Sequence, residues 1–283
     1  MNTRILLLVF LFLALLKQEV YSQFGFSHEI GIITGPVVFY SDYGVRNDFE
    51  TNIGNVGFGV GLVHYINFSY RSDCNCYTRD TYFNDHFKVR SEIDYHKTNF
   101  EHLGKWVDAD RTGITADQLR AMKGSTTVFD IGAQLEFFPL SIRDFAAGSY
   151  KIAPFGSFGV HWVSFDPEVT SELGALNTPI TTPVKYYNGF QQEGDSTWSI
   201  VMSAGFRYKL GPLSDLMLDA RWQYYFSNWV DGLNPQEEFN EQSLGEGNGV
   251  PVPENKANDW IFWLNVGYIY YFCLLYTSDA ADD

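Results

Sequence analysis

The chain has 283 residues, enough for one or two domains. Its formal net charge of −15, with no basic patch, argues against a nucleic-acid partner. Aromatic residues at 17% and 25 glycines suit a membrane barrel or another all-β protein better than a helical one.

Residues 1–22 read as a signal peptide. Arg4 precedes an apolar run from Ile5 to Leu16, and Val20 and Ser22 fit the small-residue rule before a cut between Ser22 and Gln23. That run is short for a bilayer span, and no later run reaches the roughly 18 apolar residues of a membrane helix. The exported chain is therefore expected to be either soluble or a β-barrel, with one domain over 23–272.

Eight segments alternate as strands do. The first, 27–40, is the least regular, and Pro36 suggests a bulge or a break. The second runs from 54 to about 70. It sets Val56, Phe58, Val60 and Leu62 on one face and Gly57, Gly59 and Gly61 on the other. In the third, 87–96, Phe87, Val89, Ile93 and Tyr95 oppose Lys88, Arg90, Glu92, Asp94 and His96. The fourth, 127–138, opposes Phe129, Ile131, Leu135 and Phe137 to Asp130, Gly132, Gln134 and Glu136. The fifth, 155–165, opposes Phe158, Val160 and Trp162 to Ser157, Gly159 and His161. The sixth, 197–210, carries Arg207 and Lys209 on its polar face; the seventh, 216–226, carries Asp219 and Arg221. The eighth, 259–272, places seven large residues from Trp260 to Phe272 on one face.

If the first strand starts in the periplasm, the long polar connections at 101–126, 166–196 and 230–258 all fall outside, as in outer-membrane barrels. A short helix is expected near 115–123. The connection 71–86 is an exception, a long loop on the inner side. It holds Cys74 and Cys76, whose C-x-C spacing allows a local disulfide in an oxidising compartment or a share in a metal site. Residues 273–283 break with the preceding pattern and read as a non-native tail.

Volume decides which face looks outward. An eight-stranded barrel is only just wide enough inside for ordinary side chains, and it cannot enclose about thirty large apolar ones. The bulky face must meet lipid, as in an eight-stranded antiparallel up-and-down transmembrane barrel. The glycines then face the lumen and leave room for Arg90, Glu92 or Asp219. Trp198, Trp222, Trp260, Tyr208, Tyr224, Tyr268 and Tyr270 lie toward strand ends, where amphipathic rings favour the membrane–water interface.

The enclosed face carries Lys88, Arg90, Arg207, Lys209 and Arg221 against Glu92, Asp94, Asp130, Glu136 and Asp219. Unpaired buried charge is costly, so these ten residues are expected to form an ionic network that closes the lumen. A narrow channel is the alternative. Rim catalysis would need a histidine with Ser or Asp in reach; His96 and His102, with Asp108 and Asp110 nearby in sequence, are the candidates, but no nucleophile motif accompanies them. No enzyme activity, cofactor or metal is expected, and the acidic outer loops match no calcium-loop spacing.

The segment 135–167 resembles small outer-membrane barrels related to PorG, a component of type IX secretion. Its matching residues are Pro154, Phe155, Gly156, Phe158, Gly159, Phe165, Asp166 and Pro167, where a Gly-rich aromatic strand closes on aromatic–Asp–Pro. A final strand ending in an aromatic, here Phe272, fits the same group. The resemblance implies a structural barrel that contacts periplasmic secretion machinery through its inner turns.

Overall fold

Alternation carries through eight strands: β1 (Phe26–Tyr40), β2 (Val56–Arg71), β3 (Phe87–Glu101), β4 (Met122–Phe137), β5 (Ile152–Ser171), β6 (Asp195–Gly211), β7 (Ser214–Tyr225) and β8 (Trp260–Tyr271). In this computed structural model each strand pairs antiparallel with the next, and β8 pairs with β1 to close the barrel. The structure describes residues 25–44, 48–71, 77–234 and 258–272. The expected signal segment, Cys74 and Cys76, the glutamates from Glu237 to Glu254 and the tail from Cys273 lie outside the described residues.

Register fixes the faces. Leu62 sits between Ile32 of β1 and Ile93 of β3, all three pointing out and exposed. The alternate positions on these strands are buried. An outward apolar belt around an inward polar face is the surface that a bilayer requires, because a closed sheet leaves no backbone edge unsatisfied in lipid. Rings gather at both ends of the belt. Tyr40 stacks on Trp260 at 3.5 Å at the outer end, while Phe87 packs against Phe83 and Phe137 at the inner end.

Three strands run past their expected ends, to Glu101 on β3, back to Met122 on β4 and to Ser171 on β5. Beyond Tyr95, Phe129 and Trp162 their outward positions turn polar (Lys97, Thr127, Asp166, Glu168), while the inward ones stay buried (Phe100, Val128, Val169). The hairpins have left the hydrocarbon, so apolar–polar contrast vanishes though pairing continues. Phe165, Asp166 and Pro167 therefore lie within β5 and do not close it. Lys123 crosses this wetted surface to Glu101 at 3.2 Å and Glu172 at 3.1 Å.

Pro36 interrupts pairing with β8 without shifting register, while its pairing with Phe58 of β2 continues. Thr34↔Val266 and Val37↔Trp263 keep one register across β1 and β8, and the Gly35 carbonyl accepts the Trp263 indole N–H at 3.2 Å.

The short elements are α1 (Phe49–Gly54), α2 (Tyr82–His86), α3 (Ile114–Ala121) and α4 (Ile142–Ala146). Asp48, Thr81 and Ser141 cap α1, α2 and α4 by accepting backbone N–H groups. The helix expected at 115–123 is α3, which ends where β4 begins.

Gly57, Gly59 and Gly61 do face the lumen, but the expected occupants are not the ones found. A Cβ at Gly57 would strike Thr98, at Gly59 the Trp263 ring at 2.5 Å, and at Gly61 the Asp94 carboxylate. Arg90 and Glu92 lie further toward the inner end, opposite Tyr65 and Val63, so they do not use that space.

Leu62→Arg, near the middle of the lipid face, is expected to lower the unfolding free energy in vesicles by about 2–4 kcal/mol, whereas Lys97→Arg, beyond the belt, leaves it unchanged. Urea titration of the two variants checks this.

Candidate functional site

All ten charged residues expected inside are on the inward face, and nine are buried; Lys209, at the inner mouth, keeps partial exposure. They are joined by Glu29 of β1 and Asp215 of β7, which sequence reasoning did not assign. Glu29 lies on the irregular first strand, where parity was hard to read. Asp215 lies in what looks like a turn, but β7 already begins at Ser214.

The charges form three tiers. At the inner end Glu29 takes Lys88 and Arg207, each at 2.6 Å, and accepts from Asn67 at 3.0 Å. Arg207 donates its second arm to Glu136 at 2.8 Å and lies 4.2 Å from the Tyr65 ring centroid. Lys209 is 3.8 Å from Asp215, which also accepts from the Tyr271 hydroxyl. In the middle tier Arg90 contacts Asp219 at 3.0 Å, Glu92, and Glu136 at 3.7 Å. Arg221 forks to Glu92 at 2.6 Å and Asp94 at 2.8 Å, with its guanidinium 4.8 Å from the Trp263 ring. Guanidinium suits this task because its planar donors reach two carboxylates at once and its face stacks on aromatics.

The outermost tier is built on His161, paired in register with Gly132, whose missing side chain admits the imidazole. Nδ1 lies 2.5 Å from Asp130, and Nε2 lies 3.6 Å from Glu92 and 3.3 Å from the Gln134 amide. Gln134 donates to Glu92 at 2.8 Å and accepts from Ser157 at 2.6 Å. Alternation in the fifth strand puts His161 on the polar face, and its pairing with Gly132 is visible only in the register.

Glu92, Asp94 and His161 bring ligand atoms within 4.8 Å of one another, the arrangement nearest to a metal centre among the described residues. The Arg221 guanidinium already binds both carboxylates, and Gln134 satisfies Glu92 beside the imidazole. A second cation would have to displace that fork, so the cluster works as an ion-pair knot.

The rim histidines are not at a reactive rim. His96 is buried in the lumen, 3.1 Å from the Tyr225 hydroxyl, because β3 continues five residues past it. His102 is buried under the outer loops, and Asp108 and Asp110 are exposed in theirs. His28 and His64 pair at 3.0 Å on the outward face.

Both mouths are covered. At the inner end Phe138 is buried together with Ile142 and Phe145 of α4, and Lys209 lies 5.0 Å from the Phe145 ring. At the outer end each loop adds a piece. Tyr43 stacks on Phe100 and lies against Gly124, where a side chain would collide with it. Gly44, at φ +73°, donates its N–H to His102 Nδ1 at 2.8 Å. The Tyr186 hydroxyl donates to the Asp42 carbonyl at 2.9 Å, and the Asp42 N–H to Asp231 at 2.5 Å. Burial first, and then the nearby Lys185 ammonium, lower the His102 pKa from 6.5 to about 3.

The closed sheet, its lipid-facing belt and its ionic interior define an eight-stranded transmembrane β-barrel of the outer-membrane kind. No family model matches the chain, and no curated protein does. Among solved structures it is similar to Ail of Yersinia pestis in complex with a heparin analogue (13% identity, 88% of this chain and 99% of that one, TM-score 0.39). It is also similar to OprG of Pseudomonas aeruginosa (13%, 87% and 98%, TM-score 0.38) and to a major outer membrane protein of Thermus thermophilus (12%, 86% and 99%, TM-score 0.41). These likenesses add nothing to what the strand order already establishes.

Arg221→Met leaves Glu92 and Asp94 side by side without their shared cation. It is expected to lower the unfolding free energy in vesicles by roughly 3–5 kcal/mol, and Arg221→Met with Asp94→Asn to recover part of that loss. His102 supplies a pH dependence. With its folded pKa depressed, its contribution is complete above pH 6.5 and is lost as pH falls toward 3, at about 1.4 kcal/mol per unit. Protection of the amides at 42–44 and 185–187, measured as exchange relative to the intrinsic rate at each pH, is expected to fall between pH 6.5 and 5. His102→Asn, which keeps an acceptor for Gly44, should remove that trend.

Proposed function

We propose that this protein is a non-enzymatic, non-conducting barrel that works as an anchor or interaction component of the outer membrane. The observation that carries this reading is the lumen: nine of its ten expected charges are buried, and each mouth is covered by aromatic side chains. An aqueous path would need charged groups facing water along its whole length.

No described histidine lies within hydrogen-bond distance of a hydroxyl in an arrangement that would activate it at a rim. His96 meets a tyrosine and His161 a carboxylate, both inside the barrel wall. This favours the non-enzymatic reading.

The inner end supports a role in contact with periplasmic proteins. Arg143 ties the connection before β3 to the one after β4: it donates to Asp80 at 2.9 Å and to the Thr78 carbonyl at 3.1 Å, and covers the Tyr77 ring at 5.1 Å. Tyr77, Tyr82 and Phe83 are exposed beside this clamp. The segment resemblance over 135–167 points to a secretion assembly of the type IX kind as the partner. Residues 1–22 are then the export signal.

Purified protein in planar bilayers is expected to show no discrete conductance; steps that change when Arg90 or Arg221 is neutralised would make it a channel instead. Pull-down from solubilised membranes should capture periplasmic proteins, and Arg143→Ala should reduce that capture while thermal unfolding of the barrel stays within about 1 kcal/mol of the parent.

A further inference from the structure

The outer end carries a second feature that the sealed lumen does not use. A cleft of about 1060 Å³ opens between the two arms of the β5–β6 connection and reaches Trp229 of the β7–β8 connection. We propose that this cleft is a carbohydrate-binding site for a neutral or amino sugar.

Its walls are held by the main chain. The β4–β5 ladder continues to Met122↔Ser171, well beyond the belt, and forms one side. The other side, 190–192, is bridged to the β7–β8 connection by Phe190↔Leu233 and by the Gln191 N–H donating to the Gly232 carbonyl at 3.0 Å. The Gln192 side chain joins the two walls by donating to the Val169 carbonyl at 2.7 Å. A concavity set on paired strands does not have to be organised by its ligand.

The chemistry of the lining selects the ligand. Trp229 and Phe190 are half-buried rings packed against the core, which suits the C–H face of a pyranose. Gln191 and Gln192 each commit one amide N–H to a backbone carbonyl, leaving the amide oxygen as an acceptor beside a second N–H. Glu193 and Asp195 are exposed acceptors at the rim, and among the described residues no Lys or Arg lines the cleft. Acceptors over an aromatic floor call for a ligand rich in hydroxyl or N–H donors. The missing cation disfavours sulfated or uronic sugars. A peptide adding a strand would have to take the edge of β5 beyond Phe165, where the Gln192 side chain already occupies the Val169 carbonyl.

The test uses the full chain in lipid nanodiscs and calorimetric titration with trisaccharides of glucose, mannose, galactose and N-acetylglucosamine. A sulfated heparin fragment and oligolysine serve as contrasts. At least one trisaccharide should bind. Trp229→Ala should weaken that binding about tenfold or more, and Trp229→Phe by no more than about threefold. If Trp229→Ala disturbs the cap, Gln191→Leu, which removes a side chain bonded only within its own loop, should weaken it as well. Binding by none of the four sugars, binding unchanged in both variants, or binding of the heparin fragment or oligolysine in their place would overturn the proposal.

Discussion

Enclosure of charge governs this molecule. Eight strands close around a space only as wide as their own side chains, and hydrocarbon on the outside forces every polar side chain inward. Water cannot solvate the charges there, so each must find a protein partner. Glu29 holds Lys88 and Arg207, Arg207 reaches on to Glu136, Glu136 lies near Arg90, and Arg90 joins Asp219 and Glu92. No single pair could be exchanged without reassigning its neighbours. Seven carboxylates (Glu29, Glu92, Asp94, Asp130, Glu136, Asp215, Asp219) face five bases (Lys88, Arg90, Arg207, Lys209, Arg221), and His161 stands between two of the acids.

Space is the second half of the same constraint. Glycines appear where the lumen is fullest: Gly59 against Trp263, Gly61 against Asp94, Gly132 against His161, Gly124 against Tyr43. A strand weakened by missing side chains is tolerable here because its neighbours on both sides fix it. The large rings are not filler. Tyr65 lies under Arg207 and Trp263 under Arg221, so the aromatic faces add to the carboxylates in holding guanidinium away from water.

Much of this was legible in the residues themselves. Alternation located eight strands, and volume settled their orientation, because about thirty large side chains cannot fit inside. What stayed hidden has identifiable causes. Glu29 was missed because Ile30, Ile32 and Ile33 blur the parity of β1 around it. The ends of β3, β4 and β5 were missed because outward residues become polar once a strand enters water, which removes the contrast that marks a strand. The occupants of the glycine gaps were misassigned because strand stagger is invisible in one sequence. Gly61 pairs with Asp94, while Arg90 lies four residues further along β3. The outer cap was illegible for a deeper reason: His102, Tyr43, Tyr186 and Asp231 come from four loops, and nothing local announces that they meet.

The two ends of the barrel differ in kind, and that difference bears on function. The trunk between them is committed to its own charge balance, and its charged groups are sequestered from any ligand. Chemistry directed at other molecules must therefore be carried by surfaces outside the belt. At the inner end a guanidinium clamp gathers exposed tyrosines and a phenylalanine beside the lipid boundary. At the outer end three strands continue into water with acidic and amide side chains, and their hydrogen-bonded ladder gives rigidity where a loop alone would have none. The extension of β3, β4 and β5 beyond the hydrocarbon does more than supply Phe100 and Gly124 to the outer cap. Its consequence is a fixed wall above the membrane, against which the β5–β6 connection forms an open concavity.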